Sequence, residues 1–302
     1  MSAHADSARA IFFALGANFA ITVAKGVAAF FSGSGAMLAE TVHSLADCGN
    51  QALLLLGMKQ AKKPSSPEHP LGYGKAVYFW SFLVAVMLFT LGGMFSLYEG
   101  IHKLSHPEPL EKWWLAVGVL AFSIVAEAVS MRACLVEVNK ARGGQSLRQW
   151  FRESRQAELI VIFGEDLAAL SGLSLALIAV VLAVVTGNPL WDALGTVAIG
   201  VLLIVVAVFV AIEVKAMLIG QSADPRVTDG MKAFLNDRPE IARVFHLITL
   251  QLGGDVMVSA KVQVAGAQSA AELVSALNVV EKAFRAHFPQ VRWSFFEPDD
   301  QD

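Results

Sequence analysis

A histidine and an aspartate inside one hydrophobic segment have the clearest chemical potential in this chain. His43 and Asp47 lie four positions apart, and on a helix this spacing puts both side chains on one face, about 40° apart in azimuth. A charged residue at membrane depth costs roughly 2.5–3.5 kcal/mol on insertion scales, so we expect a function for both. Imidazole nitrogen and carboxylate oxygen suit zinc and similar divalent metals. The pair therefore predicts a metal site within a membrane, and Asn50 extends the same polar stripe.

Two further acids lie in another apolar segment. Asp166 has no basic neighbour in sequence, and the simplest interpretation is that it faces the histidine–aspartate pair across a helix interface. The adjacent Glu165 points about 100° away, so only one of the two can aim directly at that pair. The alternative for both acids is an interhelical hydrogen bond or ion pair, with Lys25 as the candidate partner. Glu40, one turn before His43, is either a metal ligand or an acid that lies at the entrance of the site or packs between helices.

The composition supports the membrane setting. Of 302 residues, 55% are hydrophobic and 16% are charged, against about 25% charged in typical soluble domains; the mean hydropathy is +0.56. The net charge of −3 argues against a nucleic-acid partner. Cys48 and Cys134 lack metal-type spacing and are expected to be packing residues rather than a disulfide. Because neither a cleavable signal peptide nor a transit peptide is evident, we expect a bacterial inner (plasma) membrane location.

Six apolar stretches have the roughly 20 residues needed to cross a bilayer. They are 10–31, 36–60, 77–101, 113–138, 157–186 and 190–218. Basic residues concentrate in the connections after the second and fourth stretches, so the positive-inside rule places both termini in the cytoplasm. Residues 1–219 are therefore predicted to form an all-α bundle of six transmembrane helices in a lipid bilayer.

The composition becomes mixed from about residue 220. A short amphipathic helix is expected over 224–237, strands over 244–252 and 256–264, a helix over 269–288 and a strand over 291–296. Ser269 and Glu272 form a capping box for the second of these helices. This αββαβ order predicts a ferredoxin-like α+β cytoplasmic domain at 220–302. The domain is small, so a homodimer is expected.

Four features together resemble the cation diffusion facilitator family. They are the residues 32–40 with His43 and Asp47, the run 70–75 (Pro-Leu-Gly-Tyr-Gly-Lys), the run 192–200 that begins with Asp192, and the αββαβ tail. The resemblance implies a six-span, dimeric transporter that exports cytoplasmic zinc, or a similar divalent metal, in exchange for protons. The tract 139–166 looks most like the zinc transporter nine subgroup.

The resemblance also implies a ligand set. His43, Asp47 and Asp166 match three ligands of the family's intramembrane site, whereas the position of the fourth ligand holds Ile162, which cannot bind metal. Glu165 or water completes the sphere, or the preference shifts toward Mn²⁺, Fe²⁺, Co²⁺ or Ni²⁺. Zinc or one of these ions is thus expected as substrate, with no prosthetic group.

Two auxiliary metal sites of the family are expected to be absent. In the connection after the second span only His69 remains, and Ser66 and Tyr73 stand at the partner positions. In the tail, the positions of the family's metal-binding histidines hold other residues: Phe245, Lys261 and Phe295. Lys75 matches a lysine that interlocks the family's dimer, but its usual acidic partner is missing.

The ligands suggest a proton-driven mechanism. Metal binding needs neutral imidazole and ionised carboxylates, so binding expels protons and protonation expels metal, with His43 as the main proton carrier. An enzyme is not expected, because the chain lacks His-Glu-x-x-His and Gly-x-Ser-x-Gly motifs. The alternative is a non-transporting metal sensor or partner subunit with a degenerate site.

Overall fold

A computed structural model describes residues 18–107 and 109–301 of the chain. They form two compact units. The first contains the described residues up to Gly57 together with Trp80–Gly144 and Glu158–Val214. The second contains Met58–Phe79, Gln145–Ala157 and the described residues from Lys215 onward.

Long helices build the first unit. In chain order they are α1 (Asn18–Ser32), α2 (Gly35–Ala61), α3 (Ala76–Met87), a π-helix (Leu88–Met94), α4 (Phe95–Ser105), α5 (Trp113–Arg142), α7 (Ala157–Thr186) and α8 (Leu190–Gly220), with the short α6 (Leu147–Glu153) in the second unit. Large apolar side chains on these helices are exposed, including Phe30, Phe122 and Val185. Such a surface is suited to lipid rather than water.

Four of the predicted spans are confirmed as helices long and apolar enough to cross a membrane. They lie in Ala76–Ser105, Trp113–Arg142, Ala157–Thr186 and the stretch Leu190–Asn236. Helix α2 covers the second predicted span with 27 residues, but the polar stripe that includes His43 and Asp47 lowers its hydropathy. The predicted span 10–31 lies partly outside the described residues, and its described part is α1.

Glycines allow α8 to pack closely on the helix formed by α3, the π-helix and α4. A Cβ atom at Gly200 would lie 2.6 Å from the backbone nitrogen of Leu97, and one at Gly93 would lie 2.6 Å from Ile204. Small residues of this kind permit the close backbone approach on which transmembrane helix packing relies. This contact gives the run 192–200 a structural role.

The second unit has the predicted order of elements. Helix α9 (Pro225–Asn236) is followed by β1 (Ile241–Leu252), β2 (Asp255–Val264), α10 (Ala270–His287) and β3 (Val291–Pro298). The strands lie in the order β1-β2-β3, with β1 antiparallel and β3 parallel to β2. The predicted cap by Ser269 is present, since its side chain accepts a hydrogen bond from the Glu272 backbone N–H at 3.3 Å. The Glu272 carboxylate accepts from the N–H of Gln268 at 2.8 Å, one residue before the Ser269 N–H that a capping box uses.

An aromatic cluster fills the core of this unit. Phe284 is fully buried, and its ring lies 4.9–5.9 Å, between centroids, from the rings of Phe234, Phe288 and Phe296. These rings join the two helices to the sheet by burying apolar area and by favourable edge contacts.

Candidate metal-binding site

Helix α2 presents a polar stripe inside the first unit. Glu40, His43 and Asn50 are fully buried, and the Asp47 side chain is 16% exposed. The spacing of three or four residues places them on one helix face, as predicted. The Nδ1 atom of His43 lies 3.6 Å from Oδ1 of Asp47. The histidine–aspartate pair therefore presents adjacent nitrogen and oxygen donors.

Several polar atoms in this stripe lack partners. Within the described part of the chain, both ring nitrogens of His43, Oδ1 of Asp47 and Oε1 of Glu40 are buried and accept or donate no hydrogen bond. Leaving a buried donor or acceptor unsatisfied costs about 1–3 kcal/mol, so native structures rarely do so without a reason. A bound cation would satisfy the lone pairs of both imidazole and carboxylate. The donor set therefore fits a divalent metal as substrate.

A distorted segment lies beside the histidine. The π-helix Leu88–Met94 contains Gly92, and a Cβ atom at this glycine would lie 3.7 Å from Nδ1 of His43. Single turns of π-helix are found at functional sites more often than chance would give. In this protein the π-helix lies beside the unpartnered ring nitrogens of His43.

The two acids of α7 contact different helices. Glu165 is buried, and its Oε1 accepts a hydrogen bond of 2.6 Å from the side-chain amide of Asn50 on α2. The carboxylate of Asp166 instead accepts from the hydroxyl of Ser130 on α5, at 3.4 and 3.5 Å. This divergence follows from the angle of about 100° between neighbouring residues on a helix.

Lys25 pairs with a different acid from those considered in the sequence. Its ammonium donates to Ser44 Oγ at 2.6 Å and to Oε2 of Glu40 at 3.5 Å, and both charged side chains are fully buried. Lys25 is therefore not the partner of Asp166 or Glu165, because α1 packs on the face of α2 that carries Glu40. The alternative of interhelical hydrogen bonds to these two acids is observed, from Ser130 and Asn50. A buried charge pair of this kind is strongly destabilising to break, since either partner alone would be uncompensated.

Glu127, an acid of α5, was missed in the sequence. It lines a small cavity together with Asp47, Ser44, Asn18 and Ile21. The available signal was that this ionisable residue stands in the middle of a predicted span, where such residues are rare.

A network at one end of α2 positions the stripe. The buried carboxylate of Asp192, at the start of α8, accepts from Ser34 Oγ at 2.5 Å and from the Gly35 N–H at 2.7 Å. Ser34 Oγ in turn accepts from the Met37 N–H at 3.1 Å, and the Lys103 ammonium donates to the Gly33 carbonyl. Asp192 and Ser34 thus cap two of the orphan N–H groups that begin the helix, and Lys103 holds the carbonyl just before it.

The ligands are not gathered into a closed site. Across 18–107 and 109–301, no three His, Cys, Asp or Glu side chains are arranged to hold a metal ion. Of the predicted residues, His43 and Asp47 are in contact. Glu165 is hydrogen-bonded to Asn50 of the same helix, α2, and Asp166 lies on the α5 side.

In the second unit, the ring of His69 stacks on Tyr73, with 4.3 Å between centroids.

Known proteins resemble this chain over most of its length. The model of the cation efflux transmembrane domain matches residues 11–219. The chain is 34% identical over 248 residues, 80% of its length, to the human protein named proton-coupled zinc antiporter SLC30A9, mitochondrial. It is 32% identical over 233 residues, 76% of its length, to metal tolerance protein C4 of Arabidopsis thaliana. Magnetosome protein MamB of Paramagnetospirillum magneticum is 34% identical over 94 residues, 31% of both chains.

The predicted location in a bacterial plasma membrane is wrong by these comparisons. The matching antiporters of frog, human, orangutan and mouse are all named as mitochondrial. The prediction depended on the first residues of the chain. They do not decide the location, because the chain spans only 43% of the length of the human relative and 51% of that of the Arabidopsis one. The multi-pass membrane character is supported by the four apolar helices.

Proposed function

This chain belongs to the cation efflux family, the cation diffusion facilitators, and we propose that it exchanges a divalent transition metal, zinc first, for protons across a membrane. The sequence resemblance to this family and to the zinc antiporter subgroup is thereby confirmed. The single observation that carries the proposed site is the buried His43 with two unpartnered nitrogens, 3.6 Å from Asp47 on an intramembrane helix.

The proposed ligands come from two helices. His43 and Asp47 of α2 supply nitrogen and oxygen, and Asp166 of α7 supplies a second carboxylate. Ile162 stands at the position of the fourth ligand, and Glu165 beside it accepts a hydrogen bond from Asn50 that ties α7 to α2. Because the described ligands do not converge, metal binding requires α2 and α7 to approach each other, which is a change that alternating access would provide.

The proton coupling follows from the chemistry of the donors. Protons and a divalent cation compete for the same lone pairs of imidazole and carboxylate, so loading from one side releases protons and protonation from the other side releases metal. The proposed direction is export from the compartment that faces the basic connections after the second and fourth spans. The proposed architecture is a homodimer in which each chain has six spans and a tail domain at 220–302 with ferredoxin-like topology.

A non-transporting metal sensor or partner subunit is the second candidate. Ile162 at a ligand position, together with the open geometry of the described ligands, favours it. A sensor would bind metal without turnover, which separates it from a transporter.

Flux into proteoliposomes with an imposed pH gradient tests the proposal. Wild type is compared with Asp47→Asn for zinc, manganese, iron, cobalt and nickel, and the exposed Asp229→Asn is the matched control. We expect zinc-dependent proton flux in wild type and in the control, and at least a 100-fold loss in Asp47→Asn. Equal flux in Asp47→Asn would refute the assigned site, and metal binding without flux in wild type would favour the sensor.

A further inference from the structure

We infer that Glu127 of α5 is an additional oxygen ligand of the transported metal and fills the role that Ile162 cannot serve. This inference rests on the proposed function, because it concerns the same intramembrane site. It adds a third helix to a ligand set that otherwise comes from α2 and α7.

The first support is the position of the Glu127 carboxylate. Glu127 lines the same small cavity as Asp47 of α2. Three residues further along α5, Ser130 donates a hydrogen bond to Asp166 of α7. At this level α5 therefore faces both halves of the proposed ligand set, and Glu127 is the acid that it carries there.

The second support is a polar face on α5. Ser123, Glu127 and Ser130 stand at intervals of four and three residues, so they share one side of the helix. Ser130 donates to Asp166, which shows that this side faces α7. Ser123 is fully buried and its hydroxyl lacks a partner among the residues the structure describes. Helix α5 thus carries a polar stripe that faces the site, as α2 does.

The third support is that Glu127 shares a cavity with Asp47, next to side-chain atoms that lack hydrogen-bond partners. Glu127 and Asp47 line the same small cavity, and Glu127 takes part in none of the ion pairs among the described residues. The adjacent His43 is completely buried with both nitrogens unpartnered. Lys25 is paired with Glu40, which leaves Asp47, Glu127 and Asp166 without an ion pair to a basic residue other than His43 among the described residues. A divalent ion would compensate several of these carboxylates at once.

Glu165 is less suited to this role than Glu127. One of its oxygens already accepts the short hydrogen bond from Asn50, which fits a carboxylate that ties α7 to α2. A carboxylate that joins the coordination sphere also makes it richer in oxygen, and such spheres accept manganese and iron more readily than nitrogen-rich ones do. Glu127 is therefore expected to influence metal preference as well as affinity.

The test compares Glu127→Gln, Glu127→Asp and Glu137→Gln in the purified full-length protein. Glu137 is a matched control on the same helix, because it is exposed and pairs with Lys140 at 2.6 Å. Zinc affinity is measured by titration calorimetry, and the coordination sphere is followed by the visible absorption of bound cobalt. Size-exclusion profiles and melting temperatures verify that each variant is folded.

We expect Glu127→Gln to bind zinc 10- to 100-fold more weakly and to alter the cobalt spectrum, Glu127→Asp to be intermediate, and Glu137→Gln to match wild type. Zinc affinity within twofold of wild type and an unchanged cobalt spectrum in Glu127→Gln would overturn this inference alone. Binding in wild type without flux would overturn the transport proposal but leave the comparison at Glu127 decisive. A wild type that binds none of the five metals would overturn both.

Discussion

The Asp192 carboxylate offers a test of how the start of α2 is held. It is 2% exposed and accepts hydrogen bonds from Ser34 Oγ at 2.5 Å and the Gly35 N–H at 2.7 Å. Asp192→Ala removes both bonds and leaves the Gly35 N–H without a cap. Hydrogen bonds to a charged group contribute about 1.5–3 kcal/mol each, so the pair contributes about 3–6 kcal/mol.

Part of that stabilisation offsets the burial of the carboxylate, which the substitution also removes. We therefore expect the free energy of unfolding to fall by about 2–4 kcal/mol, within the range known for the loss of buried hydrogen bonds and helix caps. For a chain of this size class, each kcal/mol shifts the melting temperature by about 2–4 °C, so the expected decrease is roughly 5–15 °C.

Thermal unfolding of the detergent-solubilised protein, followed by tryptophan fluorescence, measures this decrease. Asp192→Asn keeps an acceptor oxygen but loses the charge, and we expect about half the effect. In a double-mutant cycle, Ser34→Ala and Asp192→Ala should couple by about 1–2 kcal/mol, because the two groups share a hydrogen bond. A melting temperature for Asp192→Ala within 2 °C of wild type, or additive effects in the cycle, would refute the capping role.

Two other predictions concern the second unit. Gly74→Ala should loosen the turn after β1, because a Cβ atom at position 74 would overlap the Leu252 carbonyl oxygen. The hydrogen-exchange rate at that turn should rise at least tenfold. The control Gly254→Ala, with open space around it, should leave this rate unchanged. The hydrogen bond from Lys261, with those from two backbone N–H groups, lowers the pKa of Asp299 from 3.8 to about 2, so its stabilisation is complete above about pH 4 and is lost as the pH falls through 2. Acid unfolding of Asp299→Asn should therefore depend less on pH over this interval, and a pH dependence equal to that of wild type would contradict the assignment.

Local patterns determined much of what could be predicted. The placement of His43 and Asp47 on one face needs only the helical repeat, which every helix shares. The four confirmed spans follow from runs of apolar residues, because lipid cannot satisfy backbone groups and so enforces helices of fixed length. The helix cap at Ser269 is likewise a contact between residues three apart.

The choice of partners for the intramembrane charges required the tertiary structure. The sequence identified Lys25 as a base without deciding its acid. It predicted that Asp166 faces the histidine–aspartate pair, whereas the structure gives Asp166 a hydrogen bond from Ser130 of α5. The structure pairs Lys25 with Glu40, and Glu165 with Asn50. Which helices pack together decides these contacts, and no local propensity encodes that packing.

The sequence by itself therefore determined the family, four of the six predicted membrane helices, the order of elements in the tail and the histidine–aspartate pair, since each can be recognised from patterns along the chain. Only the tertiary structure placed Asp192 at the start of α2, 157 residues away from Gly35 along the chain, and Glu127 at the cavity that Asp47 also lines. The physical reason is the same for both residues. An ionisable group in a membrane helix faces the interior of the bundle, and its neighbours there come from whichever helices pack against it.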